Sequence, residues 1–395
     1  MDDPGATAAF DGELSAGLRD LGWTTGSCSG CRRTYFTRNR AEGCGDPRSG
    51  CGEWYRFVGR RAGVRHRPAA EVLGVMTGVF EATGFRRTVL ENLLSAARDT
   101  FFVVAGVQLF DDELHRGAQV KEGRYLLAQP CVRVRTLARV GRKEGISSSF
   151  VNLCTEQANG DMADYLAHLR AWTAALLALG LDADGLALTV EPDLRRRGEL
   201  AFRTVNVTYF GFELGEAILL RATNDRLAVR SIIDVGFGFE RIVWAANEAD
   251  SYFSLIGPMP YALVGHHRLV DLVRTMTLLA GAGLVPANKG RGHVMRRLAQ
   301  LACAEPEGSG AVVEEVARHS HAYWSGFLRP RVAAAESVRA VVAEVHRNEN
   351  VALARRLGLR MTGADFGGSP EEFMTGLLRS RRVDLAALRA ALGSP

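Results

Sequence analysis

The sequence predicts an α+β fold: an antiparallel sheet flanked by helices, preceded by a cysteine-rich N-terminal segment and followed by an all-α C-terminal domain. Three observations predict it. Strand-like runs follow one another between residues 186 and 235 without regular intervening helices, which argues against a doubly wound parallel sheet. From about residue 261 onward the apolar residues recur with helical period. Four of the seven cysteines fall within residues 28–51. We expect three domains, 1–60, 61–258 and 259–395.

Each element has its own signal. Val72, Leu73, Val75 and Met76, then Val89, Leu90, Leu93 and Leu94, read as helical. Phe101 to Val107 is an apolar run of strand length, and Tyr125 to Val134 is another. Residues 163–180 read as an amphipathic helix that stops at Gly180. Strand candidates follow at Leu186–Val190, Phe202–Phe212, Ala217–Arg221 and Arg230–Val235, the last running into Gly236-Phe237-Gly238-Phe239-Glu240-Arg241 and a helix. Turn signals at 281–288 and 363–369 punctuate the helical tail.

Composition limits the function classes. Of 395 residues, 47% are apolar and 24% charged, which excludes a disordered, collagen-like or disulfide-stapled chain. No apolar run approaches the ~18 residues of a membrane span, and the acidic start Met1-Asp2-Asp3-Pro4 is unlike a signal peptide. A cytoplasmic protein with no membrane partner is expected. The net charge of +5 is too mild to establish nucleic-acid binding, and the rarity of lysine, three of 49 basic residues, fits a GC-rich genome.

Cys28-Ser-Gly-Cys31 is a tight knuckle that points two thiolates at one ion, and Cys44 and Cys51 can complete a tetrahedron around Zn²⁺. Six residues separate the second pair rather than two. Tyr35, Phe36, Trp54, Tyr55 and Phe57 would cover a small zinc ribbon, and the alternative is a loop with free thiols.

Four segments together resemble the catalytic core of alanyl-tRNA synthetase, a class II aminoacyl-tRNA synthetase, and especially its archaeal-type branch. They are Cys44-Gly45-Asp46 with Cys51; Phe102 to Phe110 followed by Gln129-Pro130-Cys131-Val132-Arg133; Ile233 to Trp244; and Val285 to Arg297. The third, Asp234-Val235-Gly236-Phe237-Gly238-Phe239-Glu240-Arg241, is similar to motif 3 and is the most specific.

The resemblance implies a class II antiparallel sheet, ATP with Mg²⁺, a small amino acid such as alanine, and a tRNA acceptor stem or another acceptor. Arg133 matches the motif 2 arginine expected on the α-phosphate, and Arg241 the motif 3 arginine expected on the terminal phosphates. Positive charge is needed there because negative charge builds as pyrophosphate leaves. Gly236 and Gly238 would let the nucleotide approach the turn, and Asp234 would bind the substrate ammonium. Asn206 matches a pocket asparagine, and strand alternation places Thr208 on the same face. Asn288, with Arg291 in the same segment, matches the part that reads the acceptor.

The departures carry expectations too. Thr208 replaces a pocket valine, so serine or a related small amino acid becomes a possible substrate. The basic residues and glutamate of the motif 2 return strand are absent from Glu144 to Asn152, and Glu191 is only a tentative counterpart of a family glutamate. Pro395 falls near where the family's editing domain would begin. Three functions follow: a ligase activating alanine for a small-molecule acceptor in a specialised pathway, a minimal alanyl-tRNA synthetase without editing, and a catalytically inactive RNA-binding or regulatory module.

Overall fold

The computed structural model of the protein describes residues 4–38, 43–52, 55–61, 65–90, 92–94, 100–116, 118–223, 229–253, 266–305 and 310–393. Trp54 and the expected boundary at 258/259 lie outside these residues. The chain forms two compact units, residues 1–131 with 150–256, and residues 132–149 with 257–395. Residue 60 lies within the first unit, whose sheet includes the N-terminal strands.

The first unit is a largely antiparallel sheet. Its strands are β1 (Thr24–Ser27), β2 (Thr34–Thr37), β3 (Arg86–Thr88), β4 (Tyr125–Val132), β5 (Ser149–Ala158), β6 (Leu186–Val190), β7 (Arg195–Arg197), β8 (Leu200–Tyr209), β9 (Phe212–Ala222) and β10 (Ser231–Gly238). They run in the order β1-β2-β6-β8-β9-β10-β5-β4-β3, with β7 paired to β8. β3 and β4 are parallel, and the other described pairings are antiparallel.

One sheet face is closed by helix α4 (Met162–Ala178), whose Asp161 side chain caps the Asp164 amide. Tyr165, His168, Leu169, Trp172 and Leu176 form its buried stripe. Trp172 stacks on Phe237 of β10 with centroids 4.0 Å apart, and its Nε1 donates to Thr155 Oγ1 of β5. Phe80 of α2 (Ala69–Ala82) meets the same indole edge-on.

Two expected elements are different. Residues 89–94 form no helix among the described residues: the Leu90 amide bonds sideways to Gln129 Oε1, and Leu94 bridges Phe102. Residues 101–107 do not form a strand, because Gln108 Oε1 takes the Val104 and Ala105 amides that a neighbouring strand would otherwise use. The chain turns there into a short 3₁₀ helix, Gly106–Phe110.

The second unit is helical outside its 132–149 segment. In α6 (His267–Gly281) every residue from Leu269 to Gly281 is buried, as expected of a central helix. It packs against α7 (Gly290–Cys303), α8 (Gly310–Trp324) and α9 (Ala334–Arg356). Beyond it Phe373 and Leu377 of one short helix (Pro370–Arg379) and Leu388 of the last (Leu385–Leu392) cluster on Leu353 and Ala354. No described helix is long and apolar enough to cross a membrane.

Candidate active site and cysteine cluster

Strand alternation puts Asp234, Gly236 and Gly238 of β10 on the sheet face opposite the Trp172–Phe237 stack. The register then assigns their neighbours. Ala158, Ile232, Leu220 and Phe202 form an apolar row across β5, β10, β9 and β8. Two residues along, the row becomes Glu156, Asp234, Ile218 and Thr204. The next row is Cys154, Gly236, Glu216 and Asn206, extended to Thr189 of β6. The apolar part is covered by Val107, Leu109 and Phe110, and polarity begins at Asp234.

This polar face is buried. Glu156, Thr204 and Asn206 are wholly inaccessible, and Thr189 and Asp234 nearly so. Thr189 Oγ1, Thr204 Oγ1 and Asn206 Oδ1 have no hydrogen-bond partner among the described residues, and the Glu156 carboxyl faces only the Asp234 carboxyl and the Cys154 thiol there. Burial, then the opposing Asp234 carboxylate, pushes the Glu156 carboxyl well above its usual range. Asn206 Nδ2 donates to Glu191 Oε1 at 3.3 Å, while Arg195 holds the other oxygen of Glu191 at 2.7 Å. Glu191, the tentative counterpart of a family glutamate, thus contacts Asn206. A buried polar group without a partner is costly, so several on one face leave bonds for a ligand or ordered water to supply.

At the end of β10 the chain turns directly into α5 (Phe239–Asn247). Both oxygens of buried Glu240 accept from the Val151 amide, at 3.1 and 3.0 Å, tying this turn to β5. A Cβ at Gly236 would lie 2.9 Å from Asn152 Oδ1, so the bare backbone leaves room for that amide. Arg241 donates to the Glu213 carbonyl at 2.9 Å and to its carboxylate at 3.1 Å, and it lies over the Phe212 ring.

The structure brings the four N-terminal cysteines together. Their sulfurs all lie within 4.8 Å of one another, with Cys28–Cys51 at 3.7 Å and Cys31–Cys44 at 3.6 Å. Sulfurs about 2.3 Å from a tetrahedral Zn²⁺ would be roughly 3.8 Å apart, so the donor set fits zinc. Burial pushes the Cys28 thiol up, but the amides of Cys31, Cys44 and Gly30 outweigh it and bring it down to about 6. Burial drives Cys44 the other way, to about 12. Gly45 has a positive φ of 60°, and a Cβ there would meet Gly211 at 2.8 Å, so the second knuckle rests directly on the β8–β9 turn. Thr208 belongs to the same junction: its hydroxyl donates to the Cys44 carbonyl at 3.0 Å.

The chain is similar to archaeal alanine–tRNA ligases. It is 24% identical over 258 residues to that of Methanosarcina acetivorans, covering 61% of this chain and 28% of the ligase. Against that of Methanococcoides burtonii the identity is 22% over 300 residues, covering 72% and 31%. The matched part thus spans under a third of these alanine–tRNA ligases. The pyrrolysyl-tRNA synthetase PylSc of Desulfitobacterium hafniense aligns at 18% identity with a TM-score of 0.37, over 49% of this chain and 72% of that one. No protein-family model matches.

The remaining residues expected from the likeness to alanine–tRNA ligases belong to the second unit. Arg133 directly follows β4, its amide donating to the Ser148 carbonyl at 2.7 Å. Ser148 and Ser149 are packing residues. The Ser148 amide donates to buried Asp271, whose carboxyl burial pushes up to about 6. Thr275 and Ser149 hydroxyls meet at 2.8 Å, and Arg274 donates to the Ser149 carbonyl beneath Trp324. Small side chains permit that approach to α6. Asn288 is exposed just before α7 and accepts from Arg296, while Arg291 lies in the first turn. Sequence reasoning missed Glu156, Thr189 and Thr204; alternation along Asn152-Leu153-Cys154-Thr155-Glu156 carried the signal for the first.

Proposed function

We propose that the protein activates a small amino acid, alanine or one close to it in size, as an aminoacyl-adenylate and transfers it to a tRNA acceptor stem. The observation that carries this reading is Asp234, a nearly buried carboxylate on the polar sheet face, two residues before Gly236 and seven before Arg241. An anion in such a place is stable only against a cation or a shared proton, and an α-ammonium supplies the cation. In the activation step a carboxylate oxygen of the amino acid attacks the α-phosphorus of ATP. The bond to the β-phosphate oxygen breaks, and pyrophosphate leaves. Arg133 would hold the α-phosphate and Arg241 the terminal phosphates, accompanied by Mg²⁺, where charge develops. An acceptor hydroxyl then attacks the carbonyl and releases AMP. Asn206 would line the amino-acid pocket, and Asn288 with Arg291 would face the acceptor.

Support for alanine and tRNA comes from the names of the relatives, alanine–tRNA ligases. A small-molecule acceptor, the other expectation from the sequence, draws nothing from them. Zn²⁺ on Cys28, Cys31, Cys44 and Cys51 would be structural, since all four positions are taken by thiolates. The test is amino-acid-dependent ATP–pyrophosphate exchange across the common amino acids. Exchange that depends on a small amino acid, and falls at least ~100-fold in Arg241→Ala, is expected. Absence of exchange with every amino acid would overturn the reading.

A further inference from the structure

We propose that the polar face selects a short amino acid with a second ammonium group, of the class of 2,3-diaminopropionate and 2,4-diaminobutyrate, and that Glu156 is the residue that selects it. What is done to this substrate rests on the adenylation reading above; what the face binds does not.

Glu156 lies directly across the β5–β10 register from Asp234 and is wholly buried, its carboxyl facing the Asp234 carboxyl and the Cys154 thiol. Two carboxylates so placed ionise together only if cations meet both. One ammonium at Asp234 leaves Glu156 to hold a proton. A second ammonium lets both ionise and brings three donors of its own. Directly opposed residues on antiparallel strands have Cβ atoms about 4.5–5.5 Å apart, a span suited to two amines separated by two or three carbons.

The neighbouring strands add independent support. Thr204 lies in the same row as Asp234, and Asn206 and Thr189 lie in the next one. Each is more than nine-tenths buried and carries an oxygen with no described partner, on the face that Glu156 and Asp234 share. An alanine methyl group satisfies none of these oxygens, and a serine hydroxyl donates to only one. Sites built from buried acceptors reject ligands that lack the matching donor far more strongly than apolar pockets reject an added group. The Arg197 charge opposes the rise at Glu156, and Arg197 is itself paired with Asp111 at 3.8 Å.

Calorimetric binding to the full chain tests this without requiring catalysis. L-2,3-diaminopropionate or L-2,4-diaminobutyrate is expected to bind at least ~10-fold more tightly than L-alanine, the scale of one charge-assisted hydrogen bond. Glu156→Gln should erase that preference. Acetylating the side-chain amine of diaminopropionate should erase it in the wild-type protein, which keeps the test decisive if the variant does not fold. Alanine binding as tightly as both diamino acids, or equal binding of diaminopropionate and its acetylated form, overturns the inference. Pyrophosphate exchange measured alongside separates the two claims. Preferential diamino-acid binding without exchange refutes adenylation and upholds this inference, whereas exchange with alanine and no diamino-acid preference does the reverse.

Discussion

At the residue scale, the chemistry rests on a few side chains whose surroundings are already set. The four cysteine sulfurs lie at tetrahedral spacing, so one zinc per chain is expected from metal analysis of protein purified without chelator. Cys28→Ser should lose that metal and unfold the segment, since a ribbon this small draws much of its stability from the ion. Proteolysis confined to the first sixty or so residues would report it; a zinc-free wild type would refute it. On the proposed reading Asp234 acts through its charge. Asp234→Asn should raise the amino-acid KM by at least ~10-fold and leave the ATP KM nearly unchanged, because a neutral amide forms a weaker bond to an ammonium. A shift confined to ATP would place Asp234 on the nucleotide instead. Arg241 is held by Glu213. Glu213→Gln should therefore lower the ATP KM, and an unchanged value would show that the pair opens without cost.

At the element scale, helix α4 fixes the strand that carries the site. Trp172 stacks on Phe237 between Gly236 and Gly238, so one side of β10 is clamped while the other carries Asp234, Gly236 and Gly238. Beside it His168 touches Thr155 and Gln157, and burial, followed by the Arg124 charge, lowers it to about 3. The neutral ring is the folded form. The unfolded chain binds this proton near pH 6.5, so the stability it contributes is complete above that value and falls as pH drops toward 3. The slope is roughly 1.4 kcal/mol per pH unit. Thermal melts between pH 7.5 and 5 should show the wild type losing more than His168→Gln does. Parallel acid limbs for the two proteins would contradict the assignment.

On the scale of the whole molecule, the decisive measurement is the product. With ATP, amino acid and total tRNA, aminoacylated tRNA is expected, and Asn288→Ala or Arg291→Ala should reduce transfer while sparing pyrophosphate exchange. Exchange without any tRNA product would move the acceptor to a small molecule. Loss of exchange in the two helical variants would mean that α7 serves activation and not transfer.

The sequence by itself was enough for the α+β class, the four cysteines, the motif 3 strand-to-helix turn and the helical C-terminal part. All of these are local patterns: a spacing, a period or a glycine rhythm that one stretch of chain contains complete. The strand placement of Asn206 and Asp234 was legible through patterns of the same local kind. The misread 89–107 region shows the limit. Its apolar residues fit a helix and a strand, but Gln129 and Gln108 side chains capture the amides, and these are contacts rather than patterns. Glu156 is the clearer case. Alternation assigns it a face, yet only the antiparallel register of β5 against β10 sets it opposite Asp234. That juxtaposition joins residues 78 positions apart, and the energy of two buried carboxylates depends on their distance and desolvation, which only the tertiary structure decides.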